Sequence, residues 1–204
     1  MPLLGDGKNS LPFVFVIGFN KTGTTALHEF FENNGWPSIH WDKGDLARRM
    51  VTNCLENRPI LEGYDGRFRV FSDMAVQTDR IRIEANQLFP VLDRDYPGAY
   101  FIYNTRKIDD WIASRSANFV TRHKATNLEL EMRRLNTDNQ DTVLLYWRAQ
   151  WQRFDSEVSQ YFKTHPRFLK VDIDARDLPE QVALLLDHPM DPSHWKRVRT
   201  NGPS

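Results

Sequence analysis

The feature that most constrains this 204-residue chain is a buried strand, a short loop and a helix near its N-terminus. Residues 13–17 form a continuous run of β-branched and aromatic side chains, which is typical of a parallel strand covered on both faces. Gly18 ends that run, and residues 26–33 have the apolar spacing of a helix. A loop between such a strand and a helix N-terminus offers free backbone N–H groups and the positive end of the helix dipole. The arrangement therefore predicts an anion-binding site.

Strands and helices alternate along the rest of the chain, which predicts an α/β fold. We expect a three-layer, P-loop-like domain, with a central, mainly parallel β-sheet flanked by helices. The further strands are expected at 67–72, 99–104 and 168–173, and the further helices at 78–89, 107–119, 141–162 and 178–186.

The carboxyl ends of parallel strands mark where a ligand binds in folds of this class. Such ligands lie in a crevice beyond the strand ends. The residues that directly follow the four expected strands are therefore the candidates for a site, and those strands end at Ile17, Ser72, Asn104 and Ile173.

The composition favours one domain over residues 1–204, with an N-terminal extension at 1–11 and an irregular tail at 189–204. The 27 basic residues equal the 27 acidic ones, so nothing indicates a nucleic-acid partner. Cys54 is the only cysteine, which excludes an intrachain disulfide and a cysteine-based metal cluster. The first residues lack the pattern of a signal peptide, and no apolar run is long enough to span a membrane. We expect a cytoplasmic location, and the oligomeric state stays open.

The residues of the loop are suited to hold a phosphate or sulfate group. Two glycines let the backbone approach an oxyanion closely, Lys21 adds a mobile positive charge, and two threonines before the helix add hydroxyl donors. In a Walker A loop the lysine follows the second glycine, whereas here it precedes that glycine by two positions. A simple turn, with Thr22 or Thr24 capping the helix, is the structural alternative. The loop reads Gly18-Phe19-Asn20-Lys21-Thr22-Gly23-Thr24-Thr25.

The run from Lys21 to Thr25 closely resembles the 5'-phosphosulfate loop of sulfotransferases that use 3'-phosphoadenosine 5'-phosphosulfate (PAPS). That family usually has a lysine, a serine or threonine, and then Gly-Thr-Thr directly after its first strand. The resemblance implies that Lys21 steadies the charge on the leaving oxygen, and that no metal is required. It also implies that the 5' end of PAPS is bound by Asn20, Lys21, Thr22, Gly23, Thr24 and Thr25.

A second motif follows the third expected strand. Sulfotransferases bind the 3'-phosphate with an arginine at the end of this strand and a serine eight residues on, and Arg106 and Ser114 resemble that pair in type and spacing. Arginine can hold a phosphate with two parallel donors, and Ser114 lies about two helical turns further along the expected helix. Basic residues near the family's C-terminus close over the same phosphate, and Arg199 is the candidate here, although a solvated basic tail is the alternative.

The general base for the acceptor has two candidates. Asp73 is the first, because it follows the second strand beside the loop, with a helix-capping or turn aspartate as the alternative. His40 is the second candidate, with a structural histidine as the alternative. The frequent Lys-Thr-His motif of the family is absent, which leaves the base and the acceptor class open.

The resemblance implies transfer of a sulfuryl group from PAPS to a hydroxyl or amine acceptor, with release of adenosine 3',5'-bisphosphate. The acceptor could be a small molecule, a glycan or a lipid. Segments 36–66 and 121–140 look polar and irregular and are candidate acceptor loops, and Trp41, Trp111 and Tyr64 are candidates to stack on an acceptor. Two other hypotheses remain: a P-loop nucleotide or small-molecule kinase, and a non-catalytic nucleotide-binding domain.

Overall fold

The computed structural model describes residues 11–196 and contains nine strands and seven α-helices in that range. The first half comprises β1 (Val14–Val16), α1 (Thr24–Asn33), β2 (Ser38–His40), α2 (Asp45–Leu55), β3 (Val70–Ser72), β4 (Ala75–Gln77), β5 (Arg82–Glu84) and α3 (Phe89–Asp95). The second half comprises β6 (Tyr100–Thr105), α4 (Ile108–Ser116), β7 (Phe119–Val120), β8 (Ala125–Thr126), α5 (Asn127–Leu135), α6 (Gln140–Tyr161), β9 (Phe168–Asp172) and α7 (Leu178–Leu186).

Five of the strands form one central sheet in the order β2-β3-β1-β6-β9. Every neighbouring pair in that sheet is parallel, so each connection between them crosses over one face. β1 lies in the middle, between β3 and β6. The prediction of an α/β fold with a mainly parallel sheet is therefore confirmed.

Side chains of β1 alternate between two separate hydrophobic cores. Val14 and Val16 pack with α1 and α7, whereas Phe15 packs on the other face among residues of α2, α3 and α6. All three are fully buried, and burying such a side chain contributes about 1.5–3 kcal/mol. The two cores explain why the strand reads as an unbroken apolar run, and they give the three layers that the sequence predicted.

The longest helix, α6, buries one face and leaves the other polar. Trp147, Trp151, Phe154 and Val158 face the core, at the spacing of one helical side. Within residues 11–196, no helix combines the length and the apolar character needed to cross a membrane.

The helix expected at 78–89 is wrong. β4 and β5 form an antiparallel hairpin there, in which Val76 pairs with Ile83, and a 3-10 turn leads into α3. The side chains of Arg82 and Glu84, in β5, are both buried and form an ion pair with each other. Pro90 lies in the first turn of α3, where proline is tolerated because the first N–H groups of a helix have no partner within the helix. Pro90 therefore lies at the start of α3, whereas the sequence prediction had a helix end just before it.

The two segments expected to be irregular contain regular structure. Segment 36–66 includes β2 and α2, and segment 121–140 includes β8 and α5. In α2 the inward residues Leu46, Ala47 and Met50 fit one helical face, but the five polar or charged residues of the helix obscured the pattern. Within the part of the expected tail that the structure describes, Pro192–His194 form a 3-10 turn.

Candidate active site

One large cavity lies at the carboxyl ends of the parallel strands. Its volume is about 890 Å³, which is within the usual range for ligand sites. Residues that follow β1, β3, β6 and β9 all line it: Lys21, Asp73, Arg106 and Asp174. The strand ends that the sequence singled out therefore meet at a single cavity.

Three backbone carbonyls of the loop after β1 accept hydrogen bonds from side chains. The donors lie in β6, in the turn after it and in α4. The bonds are Asn104 Nδ2 to Thr22 O (2.9 Å), Arg106 Nη1 to Lys21 O (3.1 Å) and Trp111 Nε1 to Asn20 O (3.0 Å). By contrast, none of the hydrogen bonds within residues 11–196 is donated by a backbone N–H group of residues 20–25. A row of unused donors at a helix N-terminus is an anion-binding arrangement.

Asn104 links the two ends of the loop. Its Oδ1 accepts from the backbone N–H of Gly18 at 2.9 Å, and its Nδ2 donates to the hydroxyl of Thr22 at 2.7 Å. The side chain of Thr22 is fully buried and donates to Phe19 O, so this hydroxyl is structural. The N-cap of α1 is Gly23, with no side-chain cap, and the alternative of a threonine cap is wrong.

Lys21 lies at the bend of the loop with a left-handed backbone (φ 69°). Its Nζ donates to Asn118 Oδ1 at 3.1 Å, just beyond the end of α4. Burial lowers the pKa of the Lys21 ammonium, with a further reduction from Arg106 and an opposing effect of Asp73. The ammonium is thus a poorly solvated charge on the cavity wall, available to an anion beside the loop.

Arg106 and Ser114 line the same cavity as the loop. Arg106 is partly buried and uses Nη1 on the carbonyl of Lys21, while its Nε has no partner among the described residues. Ser114 lies in the second half of α4. The structure therefore brings the two sequence motifs together, although one residue of the proposed phosphate set, Arg199, lies outside the described residues and stays a prediction.

Asp73 directly follows β3 in a left-handed conformation (φ 50°), with its carboxylate on the cavity wall. Its side chain is 18 % exposed, and Oδ2 lies 3.6 Å from His40 Nε2. Burial and the negative charge of Glu84 raise the pKa of Asp73 to about 7, against the opposing effects of Arg115 and Lys21. A carboxyl group with this pKa can take up and release a proton near neutral pH.

His40 lies behind Asp73 and is not among the residues that line the cavity. Its Nδ1 lies 3.0 Å from Ser72 Oγ and its Nε2 3.3 Å from Thr25 Oγ1. Burial, together with the neighbouring His28, lowers the pKa of His40 to about 4. The imidazole is therefore neutral near pH 7 and connects Thr25 of the loop to β3.

The comparison with protein families decides the assignment. Residues 13–178 match the family model described as a sulfotransferase domain. The chain belongs to the sulfotransferase domain family. The matched range contains the loop, Asp73, Arg106 and Ser114. A search of curated proteins found no match to this sulfotransferase domain.

Sequence reasoning missed several residues that shape the site of this sulfotransferase domain. Asn104, Glu84, Arg115 and Asn118 contact the loop or one of the residues that hold it. Only one local signal was available, the spacing of four residues between Trp111 and Arg115, which puts both on one face of α4. The partners of that face are far away in sequence, so the spacing alone did not identify them.

The three aromatic residues that the sequence offered for stacking on an acceptor differ in their exposure. Trp111 is fully buried and Tyr64 is 7 % exposed, with its hydroxyl donating to Asp42 Oδ2 at 2.6 Å. Trp41 is 44 % exposed and lines the cavity, and so does Phe119, which is 53 % exposed. Of these aromatic residues, only Trp41 and Phe119 are available to an acceptor at the cavity mouth.

We predict that Gly23→Ala destabilises the domain and weakens anion binding. Gly23 has φ +84°, and an added Cβ would lie 2.1 Å from Ile173 Cγ1. Left-handed strain and the clash together predict a loss of about 2–3 kcal/mol in the free energy of unfolding, measured by urea denaturation. Gly35→Ala is the matched control, because Gly35 has φ +79° but no atom within 4 Å of such a Cβ. Equal losses in both variants would show that the contact with Ile173 is unimportant.

Proposed function

We propose that this sulfotransferase domain transfers a sulfuryl group from PAPS to a hydroxyl or amine acceptor and releases adenosine 3',5'-bisphosphate. One observation carries the proposal: loop residues with unused N–H groups, Asn20, Gly23, Thr24 and Thr25, line one cavity together with Lys21 and Arg106. A ligand with anionic groups at two separate positions fits such a cavity. The neutral overall charge of the chain means that this attraction is local.

The residues present fit PAPS at both ends. The N–H groups of 20–25 and the hydroxyls of Thr24 and Thr25 are suited to the 5'-phosphosulfate. Arg106, whose Nε has no hydrogen-bond partner among the described residues, and Ser114 are suited to the 3'-phosphate. PAPS, when bound, supplies the sulfuryl group and accepts the negative charge on its 5'-phosphate.

Lys21 is proposed to stabilise the charge that grows on the leaving oxygen. The ammonium is partly desolvated, and an electrostatic interaction is stronger in such surroundings than in water. Asn118 and the loop backbone hold the side chain beforehand, so little reorganisation is needed during the reaction.

Asp73 is proposed as the general base and His40 as a residue that orients it. Asp73 lines the cavity and has a pKa of about 7, so its carboxylate can take the proton from an acceptor hydroxyl as the oxygen–sulfur bond forms. His40 lies behind the cavity wall with a pKa of about 4, which makes it a weak base. Its Nε2 lies 3.3 Å from the hydroxyl of Thr25 and 3.6 Å from the carboxylate of Asp73, so the ring limits where the carboxylate can move.

The acceptor is proposed to enter over β4 and the turn after β7. This part of the cavity is lined by Trp41, Val76, Gln77 and Phe119, so it offers apolar surface beside amide groups. Such a lining is compatible with a small molecule, a glycan or a lipid head group, and we propose no single acceptor among them.

A turnover assay tests the proposed function. The chain would be incubated with PAPS labelled in its sulfuryl group and a panel of phenols, glycosides, amines and lipids, and in parallel with labelled ATP and magnesium. Labelled sulfated product together with adenosine 3',5'-bisphosphate is the expected result. Phosphorylated product would instead support the kinase hypothesis, and binding of PAPS without transfer to any acceptor would support the non-catalytic one.

We predict that Arg106→Ala weakens nucleotide binding more than it slows turnover. A charge-assisted hydrogen bond to phosphate contributes about 1.5–3 kcal/mol, so the Kd for adenosine 3',5'-bisphosphate should rise about 10- to 100-fold. Lys107→Ala is the matched control, because Lys107 is the adjacent cation but is exposed and does not line the cavity. Titration calorimetry gives both values. A Kd that is unchanged in Arg106→Ala would remove Arg106 from the nucleotide site.

A further inference from the structure

A buried cation behind the phosphate loop has no part in the mechanism described above. Arg115 is 1 % exposed and lies in α4. Its Nη1 donates to Asn20 Oδ1 at 2.8 Å and its Nη2 to Glu84 Oε1 at 2.8 Å. The guanidinium carbon lies 5.2 Å and 5.1 Å from the ring centroids of Trp111 and Trp147. Burying a full charge costs free energy unless the charge is paired and hydrogen-bonded. The residues that Arg115 contacts therefore indicate its role.

Both oxygens of Asn20 are held by this one face of α4. Trp111 holds the backbone carbonyl and Arg115 the side-chain amide oxygen. Asn20 directly precedes Lys21, whose left-handed φ of 69° needs support from its surroundings. Fixing Asn20 on both sides therefore fixes the bend that presents Lys21 and the unused N–H groups to the cavity.

Glu84 neutralises this cation at a position beside the proposed base. Its Oε1 accepts from Arg115 and, at 2.9 Å and 2.7 Å, from Nε and Nη2 of Arg82. Its Oε2 has no hydrogen-bond partner among residues 11–196, and the residue lines the cavity. On the far side, Arg82 Nη1 donates to Glu131 Oε1 at 3.1 Å.

The hairpin brings Glu84 close to Asp73. Glu84 pairs with Ala75, two residues after Asp73. Beyond this pair, at the end of the hairpin away from the turn, Ala85 N–H donates to Met74 O at 2.8 Å. The charged and titratable groups that face Asp73 come from four elements: Lys21 of the loop, His40 of β2, Glu84 of β5 and Arg115 of α4. Arg115 and Lys21 favour the ionised carboxylate, whereas Glu84 opposes it.

We propose that Arg115 and Glu84 are positioning residues for sulfuryl transfer, with Arg115 fixing the loop through Asn20 and Glu84 setting the charge that surrounds Asp73. The inference rests on the proposed function, because it assigns Asp73 the role of base. The hydrogen-bond network that joins Arg115 and Glu84 is expected to have two separate effects. Arg115 governs nucleotide binding through the loop, and Glu84 governs the pH at which the base becomes active.

Glu84→Gln tests the second effect. The amide has the same shape, but the negative charge that opposes ionisation of Asp73 is gone, and the positive charge of Arg115 then acts on Asp73 without its partner. The acidic limb of the plot of kcat/KM against pH should therefore move to lower pH by about one unit or more. Glu131→Gln is the matched control, because Glu131 is a fully buried partner of Arg82 but does not line the cavity. It should lower the thermal stability comparably and leave the limb in place.

Arg115→Lys tests the first effect. Lysine keeps the buried positive charge but lacks the planar fork that reaches both Asn20 and Glu84. We expect the KM for PAPS and the Kd for adenosine 3',5'-bisphosphate to rise about tenfold, with the limb moved by no more than a few tenths of a pH unit. Because this variant keeps the buried charge, it still tests the role of Arg115 if Glu84→Gln does not fold.

The outcomes separate the inference from the proposed function. A wild-type chain without PAPS turnover contradicts the proposed function itself. A wild-type chain that turns over, with a folded Glu84→Gln variant whose limb is unmoved, overturns the role of Glu84. An Arg115→Lys variant with unchanged KM and Kd overturns the role of Arg115. If both variants lose stability only, while limb, KM and Kd stay as in the wild type, the network is merely structural.

Discussion

Lys21→Ala is expected to lower kcat by about 10²- to 10³-fold, the usual effect of removing one donor that stabilises a developing negative charge. The loop N–H groups remain in this variant, and they are held by carbonyl contacts that do not involve the Lys21 side chain. The Kd for adenosine 3',5'-bisphosphate should therefore rise by less than about tenfold. Single-turnover kinetics with PAPS and titration calorimetry give the two values.

The control for this prediction is Lys107→Ala, which removes an exposed cation close to the site. It should change kcat less than about threefold, because an exposed charge is well screened by solvent. A Lys21→Ala variant that keeps the wild-type kcat would exclude Lys21 from the transition state. A variant that loses binding and turnover in equal measure would make Lys21 a simple phosphate contact.

Asp73→Asn is expected to lower kcat/KM by about 10²- to 10⁴-fold, the usual contribution of a general base. Asparagine tolerates the left-handed backbone at this position (φ 50°), so the turn after β3 should persist. In the wild type, kcat/KM should rise with pH through about 7, where Asp73 ionises, and this limb should be missing from the residual activity of the variant. Asp79→Asn, in the exposed turn of the hairpin, is the control and should keep the limb.

The same variant should be more stable than the wild type at high pH. The pKa of Asp73 is raised from 3.8 to about 7 by folding, so the folded state binds the proton more tightly than the unfolded chain does. This favours folding at low pH, and the stabilisation is lost as pH rises from about 4 to about 7. At pH 8 Asp73→Asn should melt higher than the wild type by roughly 5 °C or more, and at pH 4 nearly equally. The opposite shift of His40 is common to both proteins and cancels in the difference.

The sequence predicted the parts of the fold that depend on local pattern. The apolar run of β1, the loop and the four strand ends were readable because each is contiguous in sequence. The hairpin of β4 and β5 was not, because its charged residues look like surface residues until their partners are known. Arg82 and Glu84 are buried by contacts to residues 31 to 49 positions away, which no local window contains.

The residues of the candidate site also divide into those that a local sequence pattern reveals and those that act through distant contacts. Lys21, Arg106 and Ser114 were found because they resemble a family pattern at fixed spacing. Asn104 and Arg115 act on the loop over separations of 82 to 95 residues, so only the folded chain reveals them. The proposal of Asp73 rather than His40 as the base also needed the structure, because the two residues differ in whether they line the cavity and the sequence does not record this.

Titration calorimetry of the wild-type chain against three nucleotides tests the central claim most directly. The claim is that one cavity holds anionic groups at two positions of an adenosine, beside the loop and beside Arg106. The account predicts that adenosine 3',5'-bisphosphate binds at least about tenfold more tightly than adenosine 5'-monophosphate and than ATP with magnesium. Equal affinity for the bisphosphate and the monophosphate, or tighter binding of ATP with magnesium, would contradict it.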